Sequence, residues 1–221
     1  MKKLLSLFLV LVLCLSLMAP ALAEAPVRGG SLTIAKTNKL TSFNPATTSS
    51  RNEDGYIYYM VFDTLISFDE AGNLAPKLAT SWETSEDGLI FTLKLRDDVT
   101  FHDGTPFNAE AVKANLDWAI AEDTGHVYKT SELGNIVSID VVDEFTVNVN
   151  LAKPDAALPS VFTNICGLML SPASLASGDI VTNACGTGPF KYSESVVDNH
   201  ITLVKNEDYW KENAPKLDGI T

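Results

Sequence analysis

Short alternating segments joined by tight turns, one strongly capped helix and the lack of any internal repeat predict an α+β fold for this 221-residue chain. The alternation is clearest where Phe91, Leu93 and Leu95 interleave with Thr92, Lys94 and Arg96, a half-buried strand. It recurs in Ile136 to Val142 and Phe145 to Leu151, which read as a hairpin turning at Asp143-Glu144. The helical counterpart is Ala109 to Ala121. Asn108 caps it, Glu110 complements its first turn, and Val112, Leu116, Trp118 and Ile120 supply its apolar face.

The chain opens with Lys2 and Lys3, an apolar run from Leu4 to Met18, and the small-x-small site Ala21-Leu22-Ala23. That order predicts a secretory signal over residues 1–23, cut between Ala23 and Glu24. The run falls short of the roughly 20 apolar residues a membrane-spanning helix needs. Cys14 reads as an apolar residue of that signal, because Leu13 rather than a small residue precedes it where a lipidation site is expected. The mature chain, residues 24–221, suffices for one ordinary core.

Formal charge is −12 over the whole chain and becomes −14 once Lys2 and Lys3 leave. A chain this acidic is repelled by nucleic acid and anionic membranes, so no nucleic-acid partner is expected. Cys166 and Cys185 form an even pair in an oxidising compartment and are a candidate disulfide. His102, His126 and His200 have no ligand spacing with them and read as scattered surface residues, so no metal or cofactor is expected.

Between these landmarks, Ser31 to Ala35 alternates as a first strand. Thr41 to Arg51 is polar around Asn44-Pro45 and reads as a loop. Asn52 or Asp54 then caps a helix carrying Ile57, Tyr58, Met60, Val61 and Leu65. Turns are expected at Gly72-Asn73, Glu86-Asp87-Gly88 and Asp103-Gly104-Thr105-Pro106, with Leu74 to Trp82 as an irregular connection. Ala156 to Leu170 is ambiguous between helix and strand, and Pro172 to Ala176 reads as a short helix. Gly186 to Phe190 is a bend whose glycines favour unusual backbone, ahead of a strand pair, Tyr192 to Val196 and Ile201 to Lys205.

Five segments, in this order, resemble the extracytoplasmic solute-binding proteins that feed peptide, nickel and opine ABC importers. They are Phe43-Asn44-Pro45 with Phe62-Asp63-Thr64-Leu65, Leu78-Ala79-Thr80-Ser81-Trp82-Glu83, and Phe91 to Val99 running into Phe101-His102-Asp103-Gly104-Thr105-Pro106-Phe107. Gly186-Thr187-Gly188-Pro189-Phe190 and Asn206-Glu207-Asp208-Tyr209-Trp210 complete the set. The resemblance implies a periplasmic-binding-protein-like fold of type II, peptide-binding class: two lobes closing on a ligand by a hinge. It also implies that residues 24–221 hold most of lobe one, with the second lobe missing. A monomer is implied, exported to the periplasm or the outer face of the cytoplasmic membrane, which binds a short peptide or similar small solute and hands it to membrane permease subunits. Nickel chelates, opines, glutathione and sugars are the alternative ligands.

By the same resemblance, Thr47, Thr48, Ser49 and Arg51 are candidate ligand contacts, with Arg51 suited to a carboxylate. Tyr128, Asn164, Gly186 and Thr187 are further candidates. For the glycines, a scaffold role competes with the ligand role; Trp82, Trp118 and Trp210 read as core. The carboxylates Glu83, Glu86, Asp97, Asp98 and Asp103 fit strand and turn positions. With no Gly-x-Ser-x-Gly elbow in the sequence, a secreted hydrolase is the lesser reading and no residue is assigned to catalysis. A secreted adhesive module would require repeats, which are lacking.

Overall fold

A computed structural model describes residues 27–37, 40, 42–47, 55–178, 180, 184–196 and 198–221. The signal segment with Ala23 and Glu24, and the proposed caps Asn52 and Asp54, lie outside these residues. Among the described residues no helix is long and apolar enough to cross a membrane.

The α+β expectation holds, with two four-stranded sheets and a small two-stranded one among the described residues. The first sheet has the order β4-β5-β7-β6, all antiparallel: β4 is Ala79–Thr84, β5 Ile90–Leu95, β6 Ile136–Asp143 and β7 Thr146–Leu151. Phe91, Leu93 and Leu95 point inward with Val147 and Val149. The outer face carries a polar ladder in which Thr92 donates to Asn148 and Lys94 to Thr146. Period-two alternation is thus converted into one dry face and one wet face.

Helix α2, Ala109–Ile120, covers the dry face. The Asn108 side-chain oxygen accepts from Ala111 N at 3.0 Å, the cap expected from sequence. Its buried stripe is Ala109, Ala111, Val112, Asn115, Leu116 and Ala119, whereas Trp118 and Ile120 lie half-buried at the edge. The buried Asn115 side chain donates to Leu170 O and accepts from Leu170 N, and so acts as a surrogate strand partner.

The second sheet has the order β1-β10-β9-β8, from β1 Ser31–Leu32, β8 Phe190–Val196, β9 His200–Lys205 and β10 Gly219–Ile220. β1 runs parallel to β10 and covers two residues, shorter than the predicted Ser31 to Ala35, although Ile34 N still donates to Thr221 O beyond it. Helix α1, Gly55–Val61, packs here with Tyr58 and Val61 buried. The helical pattern in the sequence runs on to Leu65. Instead the chain leaves the helix after Val61, since the Asp63 carbonyl accepts from Met169 N and Thr64 bridges Leu168. Trp118 and Tyr128 pack against both cores and tie them together.

The expected irregular connection from Leu74 to Trp82 is instead two strands. β2 Ile66–Phe68 and β3 Leu74–Pro76 form a hairpin, and β4 comes next. Pro76 is tolerated because it ends an edge strand. The ambiguous stretch resolves into a single helical turn, α3 Leu158–Val161, and a 3₁₀ turn Ile165–Gly167, followed by α4 Pro172–Ser177. Lys129–Leu133 forms a π-helical turn that no sequence pattern announced.

Candidate functional site

The Asn44-Pro45 loop is built by its own side chains. Asn44 Oδ1 accepts from Ala46 N at 2.9 Å, and Thr47 donates from both its amide and hydroxyl to Asn44 O. Phe43 anchors it, buried edge-on between Tyr58 and Tyr192. Ala46 O then accepts from Val127 N at 2.9 Å, docking the loop on the segment that carries Tyr128. Two candidates, exposed Thr47 and half-buried Tyr128, therefore come directly after residues bonded to each other. Thr48, Ser49 and Arg51 lie outside the described residues.

Asn164 is half-buried, and its side-chain oxygen caps the 3₁₀ turn by accepting from Cys166 N. Gly186 and Thr187 are buried, with their polar groups committed inside the fold. Gly186 N donates to His102 Nδ1, Gly186 O accepts from His102 N, and Thr187 donates its hydroxyl to Asp63. Their surroundings are those of scaffold.

Asp63 carries no sequence signal beyond its motif, yet it joins three of the five motifs. Its carboxylate is 1% exposed and receives Lys77 Nζ at 3.1 Å, Thr187 Oγ1 at 3.1 Å, Tyr209 OH at 3.2 Å and Trp210 Nε1 at 2.9 Å. Burial, and then the Asp63 charge, push the Tyr209 phenol above its ordinary range, so it stays a donor. Arg96 stacks over Trp210, 4.3 Å from the ring centroid, and is itself held bidentate by Asp98. A shallow hollow of about 250 Å³ opens beside Arg96, lined by Thr80, Leu95, Asp97, Asp98 and Phe145. It is smaller than the ~300 Å³ at which small-molecule pockets begin.

The Phe101 to Phe107 segment clamps the glycine loop from the other side. His102 Nε2 donates to Gly188 O at 2.9 Å while Nδ1 accepts from Gly186 N, which fixes the neutral Nε2–H tautomer. Burial lowers its pKa, and the bond to Gly188 O opposes that only in part. Asp103 accepts from Thr105 and Ser171. Burial raises the Asp103 pKa, but those donors outweigh it and the net shift is downward. The Cys185 thiol lies against Asp103, and burial together with that charge pushes its pKa up to about 11.

Two expectations are corrected here. Cys166 and Cys185 are not joined: Cys166 is buried in the 3₁₀ turn, while the Cys185 thiol engages Asp103 and Ser171. Nor are all three histidines surface residues: His126 is 6% exposed and His102 is largely enclosed by the loop it clamps, whereas His200 lies at the surface as expected. Among the described residues no three His, Cys, Asp or Glu side chains gather as a metal site requires.

Buried neutral histidines make acid stability testable. His102 and His126 both titrate below the ordinary value of about 6.5, and burial is the leading cause for each. Their contribution is complete above pH ~6.5 and is lost as the pH falls from there through their folded values, because the unfolded chain takes up protons first. Urea denaturation between pH 7.5 and 5 should show stability falling by up to about 2.7 kcal/mol per pH unit at the steepest, two protons' worth. A flat profile would show that neither ring is held neutral.

Residues 73–221 match the family of bacterial extracellular solute-binding proteins, family 5 Middle. The glutathione-binding protein GsiB of Escherichia coli O1:K1 is 35% identical over 162 residues, 72% of this chain and 31% of that protein. Among solved structures, the PBP AgaA of A. tumefaciens R10 in complex with agropinic acid superposes with a TM-score of 0.80 at 27% identity, over 86% of this chain and 39% of that one. The periplasmic binding protein DppA from Helicobacter pylori, in complex with the peptide STSA, gives 0.76 at 28% identity, over 87% and 42%. The chain thus spans about a third of the length of the curated relatives it matches. With two thirds of its residues matched by the family and its fold shared with these binding proteins, the chain belongs to the bacterial extracellular solute-binding proteins of family 5.

Proposed function

We propose that this chain contributes most of lobe one of the substrate-binding component of an ABC importer, which captures a short peptide or similar small solute outside the cytoplasmic membrane. It is exported by the signal at residues 1–23, acts as a monomer and delivers its ligand to permease subunits without chemical change. The observation that carries the reading is the family match together with relatives named for glutathione, agropinic acid and the peptide STSA. These are small polar solutes, and two of them are peptides in chemistry. Thr47 and Tyr128, each directly following a partner of the Ala46–Val127 hydrogen bond, are taken as ligand contacts, with Thr48, Ser49 and Arg51 next to Thr47 in sequence.

A desolvated ligand needs its polar groups matched by fixed donors and acceptors, and a self-bonded loop pinned to a packed wall provides fixed positions. The test is a thermal shift of the full gene product with glutathione, a tetrapeptide, an opine, a nickel chelate and a sugar. A ligand at a hundredfold its Kd stabilises the folded state by about 2.7 kcal/mol, which for a protein of this class is a rise of several degrees. A rise with glutathione or peptide supports the reading. A rise confined to the chelate or sugar would overturn the ligand class, and no rise with any of them would overturn the function.

A further inference from the structure

We infer that His126 is a positioning residue that holds the Tyr128 wall and the Asn44-Pro45 loop in register through its unprotonated Nδ1, so that ligand capture weakens in acid. The inference rests on the reading that Thr47 and Tyr128 face the ligand. His126 is buried between α2 and the segment that succeeds it. Its ring meets Trp118 edge-on, with centroids 6.0 Å apart, and Tyr128 at 6.3 Å. Nδ1 accepts from Tyr128 N at 3.3 Å, and the His126 carbonyl accepts from Lys129 N at 3.0 Å. Between these two residues, Val127 N makes the bond to Ala46 O that docks the loop. One ring therefore orients the aromatic candidate and, through the adjacent peptide, the polar loop.

A proton on Nδ1 would set two donors against each other at Tyr128 N and place a cation in an apolar enclosure. The charged groups near the ring are Glu132, on the π-helical turn, and Lys129, which is paired with Glu122. Trp118 of α2 and Ala46 of the loop bring no charge. Glu132 favours the cation, but burial outweighs it. Protonation therefore works against the register of Tyr128 and Val127, and both the wall and the loop docking are lost together.

The test uses ¹⁵N-histidine NMR and amide exchange on the full chain, with glutathione as the binding probe. Glutathione's carboxylates and thiol keep their charge states between pH 5 and 7.5, so its own titration does not enter. At pH 7.5 the His126 ring is expected as the Nε2–H tautomer. Between pH 7.5 and 5, protection of the Val127 and Tyr128 amides should fall about five- to tenfold relative to the β5 amides, the worth of one hydrogen bond. Glutathione affinity should fall by a similar factor. His126→Asn keeps an acceptor oxygen near the Nδ1 position and cannot titrate, so between pH 7.5 and 5 the variant's own protection and affinity should change less than about twofold. Protonated Nδ1 at pH 7.5, protection unchanged by acid, or the same acid loss in H126N would overturn the inference. If glutathione does not bind at all, the tetrapeptide takes its place as the binding probe, and the tautomer and exchange results decide the role of His126 in either case. Burial lowers the His102 pKa as well, but its resonances report it separately and H126N leaves it in place.

Discussion

Asp63→Ala is expected to destabilise the folded chain by about 3–5 kcal/mol, the range found when one partner of a buried ion pair is removed. For a chain of this length that lowers Tm by about 10 °C. The magnitude reflects how many groups converge on one carboxylate that is 1% exposed. Lys77, Thr187, Tyr209 and Trp210 all donate to it, and each would be left facing an apolar gap. Asp63→Asn should not rescue the loss, since it keeps the shape but turns an NH₂ towards donors. Lys77→Met in the Ala background should recover part of it, because the cation no longer waits unpaired. Urea denaturation of the single and double variants measures this. A loss below about 1 kcal/mol for Asp63→Ala would mean the cluster carries no more than an exposed pair does.

That cluster marks the limit of what sequence periodicity reveals. Strands β5 and β7 and helix α2 were legible because one face of each is dry and its residues recur at the period of the element, whereas in β6 a register shift sets the buried Ile136 and Ile139 three apart. β3 and β4 were not, because their burial patterns alternate weakly and Pro76 reads as a break. β1 and β10 hold two residues each, too few for any period, and are defined by long-range pairing, β1 on β10 and β10 between β1 and β9. Asp63 is invisible to such patterns for a different reason. Its four donors lie 14 to 147 positions away, so a lone acid after a helix gives no sign that it will be buried. The histidines failed in the same way: ligand spacing was the feature sought, whereas their partners are backbone groups of a distant loop for His102 and of the next residues for His126. Of the candidate site, the Asn44-Pro45 loop was legible through its Asx-type turn residues, and its docking on Val127 was not.

Gly186→Ala is the second large effect, and it separates two reasons for a glycine. The sequence suggested that Gly186 and Gly188 supply backbone angles other residues avoid, but neither has a positive φ. What they lack room for is a side chain. A Cβ at Gly186 would sit 2.2 Å from Val61 O and 2.4 Å from Phe62 Cδ1, and at Gly188 it would meet Val61 C at 2.6 Å. The obstructing atoms include helix-end backbone that cannot swing aside, and Val61 O itself accepts from Gly188 N. Relief must therefore shift the loop away from α1, stretching the His102 bonds and the Thr187–Asp63 bond in the same movement. The expected loss is about 3 kcal/mol, the upper range for overpacking. Gly104 is the control. Its φ of +83° is left-handed and nothing lies within 4 Å of its Cβ position, so Gly104→Ala should cost only the backbone term, about 1–2 kcal/mol. Since Gly186 and Asp63 act on the same loop, Asp63→Ala combined with Gly186→Ala should lose clearly less than the sum of the two. Full additivity in denaturation would mean the loop does not transmit strain between them, and the hub would have to be redrawn as two independent contacts.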